Sequence, residues 1–100
     1  MSVNLPTDRV TTHPGEILAE EFLLPMDVSQ VALAAHIGVP VQRINELVNG
    51  KRGITPETAW LLSQALGTSP EFWMNAQVAY DLTSARGDVR KVKLLKAAAR

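Results

Sequence analysis

The chain contains no cysteine, which excludes disulfides and thiolate zinc sites and suits a reducing compartment. It also lacks net charge, its ten acids matching its ten basic residues. Many DNA-binding domains are strongly basic, so tight, long-range, non-specific attraction to nucleic acid is not expected. Histidine is scarce, only His13 and His36 being present. No metal spacing joins them, and no serine nucleophile has an evident base partner. No metal, no cofactor and no enzymatic activity are therefore expected. No apolar run approaches the roughly 20 residues a membrane span requires. The leading residues MSVNLPTDRVTTHPGE lack a positive stretch followed by an apolar run, so no signal peptide is read there. The expectation is a cytoplasmic protein with no membrane partner. No segment sustains two-residue alternation, which argues against strands.

What is present fits one helical domain. One hundred residues, 46% of them apolar and 20% charged, suffice for a single modest core and not for two. The charges are unevenly placed. From Arg86 onward six basic residues face one acid, Asp88, giving +5, while residues 1–85 carry −5. Three of the four basic residues before Arg86 are Arg43, Lys51 and Arg52. A local positive face on an acidic body would still attract phosphate.

Helix signals divide the chain. Residues 1–12 read as a polar N-terminal arm, 13–85 as the folded domain and 86–100 as a basic C-terminal tail. A first helix starts at His13-Pro14, since proline suits the first helical position. It presents Ile17, Leu18, Phe22 and Leu23 as its apolar face, and Pro25 is expected to end it. Glu16, Glu20 and Glu21 read as its solvated face, with docking of a basic partner as a further use. The second helix runs from Ser29, a good N-cap, to Ile37, with Val28 and Leu33 spaced as a hydrophobic staple. Gly38 supplies the tight turn. The third covers about Pro40 to Val48 and stops at Asn49-Gly50. Thr55-Pro56-Glu57 opens the fourth, to Leu66, and Ser69-Pro70-Glu71 opens the fifth, to about Ala85. Both repeat a hydroxyl cap, then proline, then acid.

Val28 to Lys51 is the most informative stretch. Two short helices broken by a glycine turn have the build of a helix-turn-helix, whose second helix enters the DNA major groove. Ile44 and Leu47 would anchor that helix, leaving Val41, Gln42, Arg43, Asn45, Glu46 and Asn49 toward solvent. Arginine can pair with guanine, an amide with adenine, glutamate with cytosine, and valine can touch a thymine methyl. Gln30 at the start of the second helix, and Asn49 through Arg52 after the third, sit where such a motif meets phosphates. The bland rival is a helical bundle with an ordinary polar face.

The segments HPGEILAEEFLLP, GVPVQRINELVNGKRGITPETA and LGTSPEFWMNAQVAYDL resemble HigA-type antitoxins, a branch of the phage-repressor-like (Xre) helix-turn-helix family. The resemblance covers about His13 to Arg86 in unbroken order. It implies an all-α, five-helix, lambda-repressor-like domain with the helix-turn-helix at helices 2 and 3. It also implies a homodimer that represses its own operon on double-stranded operator DNA and neutralises a cognate RelE-like, mRNA-cleaving toxin. By the same resemblance Gln30 is a phosphate contact of helix 2. Val41, Gln42, Arg43, Asn45 and Glu46 are groove contacts, and Asn49, Lys51 and Arg52 are loop phosphate contacts. Thr55 caps helix 4 near the DNA backbone. Two residues depart from the pattern. Val41 is apolar where relatives often carry an amide, and Pro40 cannot donate an N–H to phosphate.

Trp60, Phe72, Trp73 and Tyr80 are expected mostly in the core, or in a two-fold interface if helix 5 makes the dimer. In the tail, Val89, Val92 and Leu95 recur at three-residue spacing between basic residues, and a frayed segment is the first expectation. Two other readings stand beside the antitoxin: a stand-alone Xre-family transcriptional regulator without a toxin, and a protein-interaction module that has lost DNA binding.

Overall fold

The computed structural model describes residues 5–97. The outer ends of the arm and of the tail, 1–4 and 98–100, lie outside the described residues. Within them there are five main helices and no strand. α1 comprises an α-helical turn at Pro14–Ile17, a π-helical segment at Leu18–Leu23 and a closing turn at Leu24–Met26. α2 spans Gln30–Ile37, α3 Val41–Val48, α4 Pro56–Leu66 and α5 Pro70–Ala85, followed by a 3-10 turn at Arg86–Asp88. No helix among the described residues is long and apolar enough to cross a membrane.

The cap residues do as their chemistry requires. The side chains of Ser29, Thr55 and Ser69 accept the backbone N–H groups of Ala32, Thr58 and Phe72 at 3.0, 3.3 and 3.0 Å. Each thereby satisfies one of the donors a helix start leaves unpaired. His13 does the same for α1, its Nδ1 accepting Gly15 N–H at 2.9 Å. Gly38 ends α2 at φ 77, a left-handed conformation that glycine adopts without the Cβ penalty.

α1 differs from the expected helix in two ways. Leu18 and Leu23, five residues apart, are both buried. In an α-helix that spacing would splay them by roughly 140°. The π segment brings them to one face, with Leu24 N–H bonded to Ala19 O five residues back. Nor does Pro25 end the helix. The chain continues to Met26 and turns at Asp27, whose φ is 56. There Asp27 N–H bonds Leu24 O and Val28 N–H bonds Leu23 O, a Schellman closure. Proline directly follows the π segment, where the regular four-residue ladder that it would break is already replaced by a five-residue bond.

The core joins Leu18 and Leu23 of α1, Leu33 and Ala34 of α2, Ile44 and Leu47 of α3, Ile54, Ala59 and Leu62, and Trp73 of α5. Trp73 is wholly buried, and its Nε1 donates to Thr68 Oγ1 at 2.7 Å. Phe22 and Phe72 pack on it with ring centroids at 5.3 and 5.0 Å. The expectation for the aromatics fails at Trp60, which is 59% exposed. It lies on the outer face of α4, whose inner face is already filled by Ala59, Leu62 and Ser63. Phe72 is also partly exposed.

The arm and the end of α5 meet. Thr11 N–H donates to Thr83 Oγ1 at 3.0 Å, and Arg86 Nη2 reaches Arg9 O at 3.4 Å. From Val89 to Ala97 the tail is exposed and irregular. The three-residue spacing there produces no helix, because no neighbour offers those residues a surface to bury.

Candidate nucleic-acid interface

α3 stands on two anchors. Ile44 and Leu47 are fully buried, while Val41 at its first turn is 44% exposed. Its outer row, Val41, Gln42, Asn45 and Asn49, faces solvent, and Arg43 and Glu46 are half-buried at its flanks. Burying a side chain such as Ile44 or Leu47 stabilises the fold by about 1.5–3 kcal/mol each, so the orientation of the helix is firmly set. The stretch from Pro40 to Asn49 is thus uncovered on the side where the sequence reading places its contacts.

α1 supports this helix from behind by an unusually close approach. A Cβ placed on Gly15 would lie 1.7 Å from Leu47 O. Only a glycine lets the start of α1 reach the carbonyl end of α3. In the sequence, the one cue to Gly15 is its place beside a helix-starting proline.

The exposed polar groups form three connected sets. Asn49 Nδ2 donates to Asn45 Oδ1, and Asn45 Nδ2 donates to Gln30 Oε1, both at 3.3 Å. That chain ties α3 to the first residue of α2. Gln42 Nε2 donates to Glu46 Oε2 at 3.4 Å, and Arg52 donates to Glu46 Oε1 through Nε at 3.1 Å and Nη2 at 2.9 Å. The Arg52 hydrogen bonds hold the Glu46 carboxyl below its ordinary range, with smaller help from Gln42 and from the charge of Lys51. In the third set Arg43 Nη1 donates to Glu57 Oε1 at 3.0 Å. The spacing in the sequence points Arg43 toward solvent. It instead leans to α4, its side chain 30% exposed against 71% for Glu57.

Lys51 and Arg52 occupy a loop held by its own backbone. Gly50 N–H bonds Leu47 O and Lys51 N–H bonds Glu46 O at 2.8 Å. Beyond it, Ile54 N–H donates to Gln77 Oε1 at 2.6 Å, and Gln77 Nε2 donates to Asp81 Oδ1 at 2.8 Å. Gln77 is buried and was not anticipated; a lone amide inside a helix carries no sequence cue for such a role. Thr55 stands apart from the three sets. It caps α4, and its hydroxyl lies 3.1 Å from that of Thr58.

The arrangement offers amide, guanidinium, carboxylate and methyl groups on one helix face. Such a set can read base edges in the major groove, with basic residues beside it for phosphates. Among the described residues, no group of three or more histidines, cysteines or acids is placed to hold a metal ion.

The comparisons with known proteins agree with this geometry. Residues 20–73 match the helix-turn-helix family HTH_3. Over 83 residues the chain is 46% identical to virulence-associated protein I of Dichelobacter nodosus, covering 83% of this chain and 77% of that one. Antitoxin HigA-1 of Vibrio cholerae is 42% identical over 80 residues, covering 80% and 75%. Among solved structures, Pseudomonas aeruginosa antitoxin HigA with the higBA promoter superposes with a TM-score of 0.75 at 42% identity, covering 77% of this chain and 84% of that one. The chain belongs to the HTH_3 helix-turn-helix family, within its Xre-like, HigA-type antitoxin branch.

Proposed function

We propose that this protein is an antitoxin and autorepressor. As a homodimer in the cytoplasm it seats α3 in the major groove of operator DNA before its own operon. It also binds and neutralises a cognate RelE-like, mRNA-cleaving toxin. The observation that carries the DNA half is the uncovered amide-rich face of α3 above two fully buried anchors. The solved relative with its promoter supports the same half. The toxin half rests on likeness to proteins bearing the HigA name.

In this reading Val41, Gln42, Arg43, Asn45 and Glu46 meet base edges, each good bidentate pair giving about 1–3 kcal/mol of discrimination. Gln30, Asn49, Lys51, Arg52 and Thr55 lie along the phosphate backbone and set the register. A two-fold dimer would place its two α3 helices about 34–36 Å apart on a near-palindromic site. The Asn49–Asn45–Gln30 chain orients the Asn45 amide before DNA arrives, which lowers the ordering entropy of binding.

A band-shift with the DNA upstream of the gene tests the repressor half. A shift is expected, competed poorly by shuffled DNA. No shift even at low salt would sink it. Co-expression with the adjacent gene tests the toxin half: co-purification and rescued growth are expected, and absence of both would remove it.

A further inference from the structure

Glu57 belongs to no expected contact set, yet it is an acid placed beside the groove-facing helix, where phosphate would repel it. It bonds one atom of Arg43, Nη1, at 3.0 Å. A guanidinium presents five donors in a planar fork. Holding it at Nη1 leaves the Nε–Nη2 edge to pair with the O6 and N7 of a guanine. Reaching a phosphate calls for a different excursion, in which the long side chain swings away and the ion pair opens. A pair of this geometry is compatible with base readout and competes with backbone contact. Arg52 is tied differently, its Nε and Nη2 both engaged on Glu46 Oε1, so its base-pairing edge is occupied while that of Arg43 is open.

We propose that Glu57 is a specificity-determining positioning residue: by pairing with Nη1 of Arg43 it aims the guanidinium at a base and withholds it from phosphates. The inference rests on the DNA-binding reading above and deepens it.

The test is a comparison of Glu57→Gln with the unaltered protein on two duplexes, the upstream DNA and a shuffled duplex of equal composition, across a salt series. The variant should bind the shuffled duplex more tightly while gaining nothing on the upstream DNA. The affinity ratio should fall about 1.5- to five-fold, the scale of a lost exposed ion pair. On the shuffled duplex the salt slope should steepen by about one unit, as one more phosphate is neutralised. In an Arg43→Ala background the same substitution should leave the ratio unchanged. If Glu57→Gln raises affinity for both duplexes equally, or shifts the ratio equally without Arg43, the residue acts by simple repulsion and the proposal is overturned. If the unaltered protein binds neither duplex, the DNA-binding reading itself is what fails.

Discussion

The side-chain oxygen of Gln77 accepts the backbone N–H of Ile54 at 2.6 Å, linking the middle of α5 to the loop that carries Lys51 and Arg52. That N–H precedes the first turn of α4, and the bond is buried. A loop expected to meet phosphates is thus fastened to the core at its far end.

Gln77→Leu keeps a similar volume but leaves the Ile54 donor unpaired. A buried unsatisfied group costs about 1–3 kcal/mol. The urea midpoint should fall accordingly, and amide exchange at Ile54 should quicken. An unchanged midpoint would mean that the loop is held by other means.

Gly15→Ala puts two principles in opposition. Helix propensity alone predicts a gain of up to about 1 kcal/mol. The backbone at Leu47, 1.7 Å from the new Cβ, predicts overpacking of about 1–3 kcal/mol or more. The second should win, because α1 must retreat from α3 and the contact is backbone. Thermal unfolding decides the sign, and a stabilised variant would refute the close approach.

His13 links stability to pH. Its Nδ1 must be unprotonated to accept Gly15 N–H, and its ring lies edge-on to Tyr80 at 4.7 Å. Burial lowers its pKa, against the opposing pull of Asp81 and then Glu16. The unfolded chain therefore takes up the proton first. The stabilisation is complete above the ordinary histidine value of about 6.5 and declines as pH falls through it toward the lowered folded value. The urea midpoint should drop between about pH 7.5 and 5.5. His13→Asn, which keeps a cap acceptor, should reduce that drop. Equal drops in both proteins would assign the effect elsewhere.

Arg43→Ala and Lys51→Ala should separate readout from positioning. The first should weaken binding to the upstream DNA by about 1–3 kcal/mol and relax specificity at one position. The second should weaken binding evenly across sequences and reduce the salt slope by about one unit. Operator affinity indifferent to Arg43→Ala would mean that α3 is not the reading helix.

Much of this is legible in the amino-acid sequence. Ser29, Thr55 and Ser69 start their helices where a hydroxyl followed by helix-forming residues says they should. Ile44 and Leu47 go inside because their spacing leaves them no other place. Local rules suffice there, since caps and amphipathic faces depend on neighbours a few residues away. They fail where the partner is remote. The π segment in α1 answers the five-residue spacing of Leu18 and Leu23 against a shared core, and Trp60 is left outside by the filled inner face of α4.

The amino-acid order by itself determined five helices, their caps and a helix-turn-helix with a polar outer row, because hydrogen bonding and apolar periodicity act over one or two turns. Tertiary structure alone decided that Arg43 pairs with Glu57, that Gln77 fastens the loop at Ile54 and that Gly15 meets Leu47. Each of these joins residues distant in the chain, and only the packing of whole helices sets which side chains come within hydrogen-bonding reach.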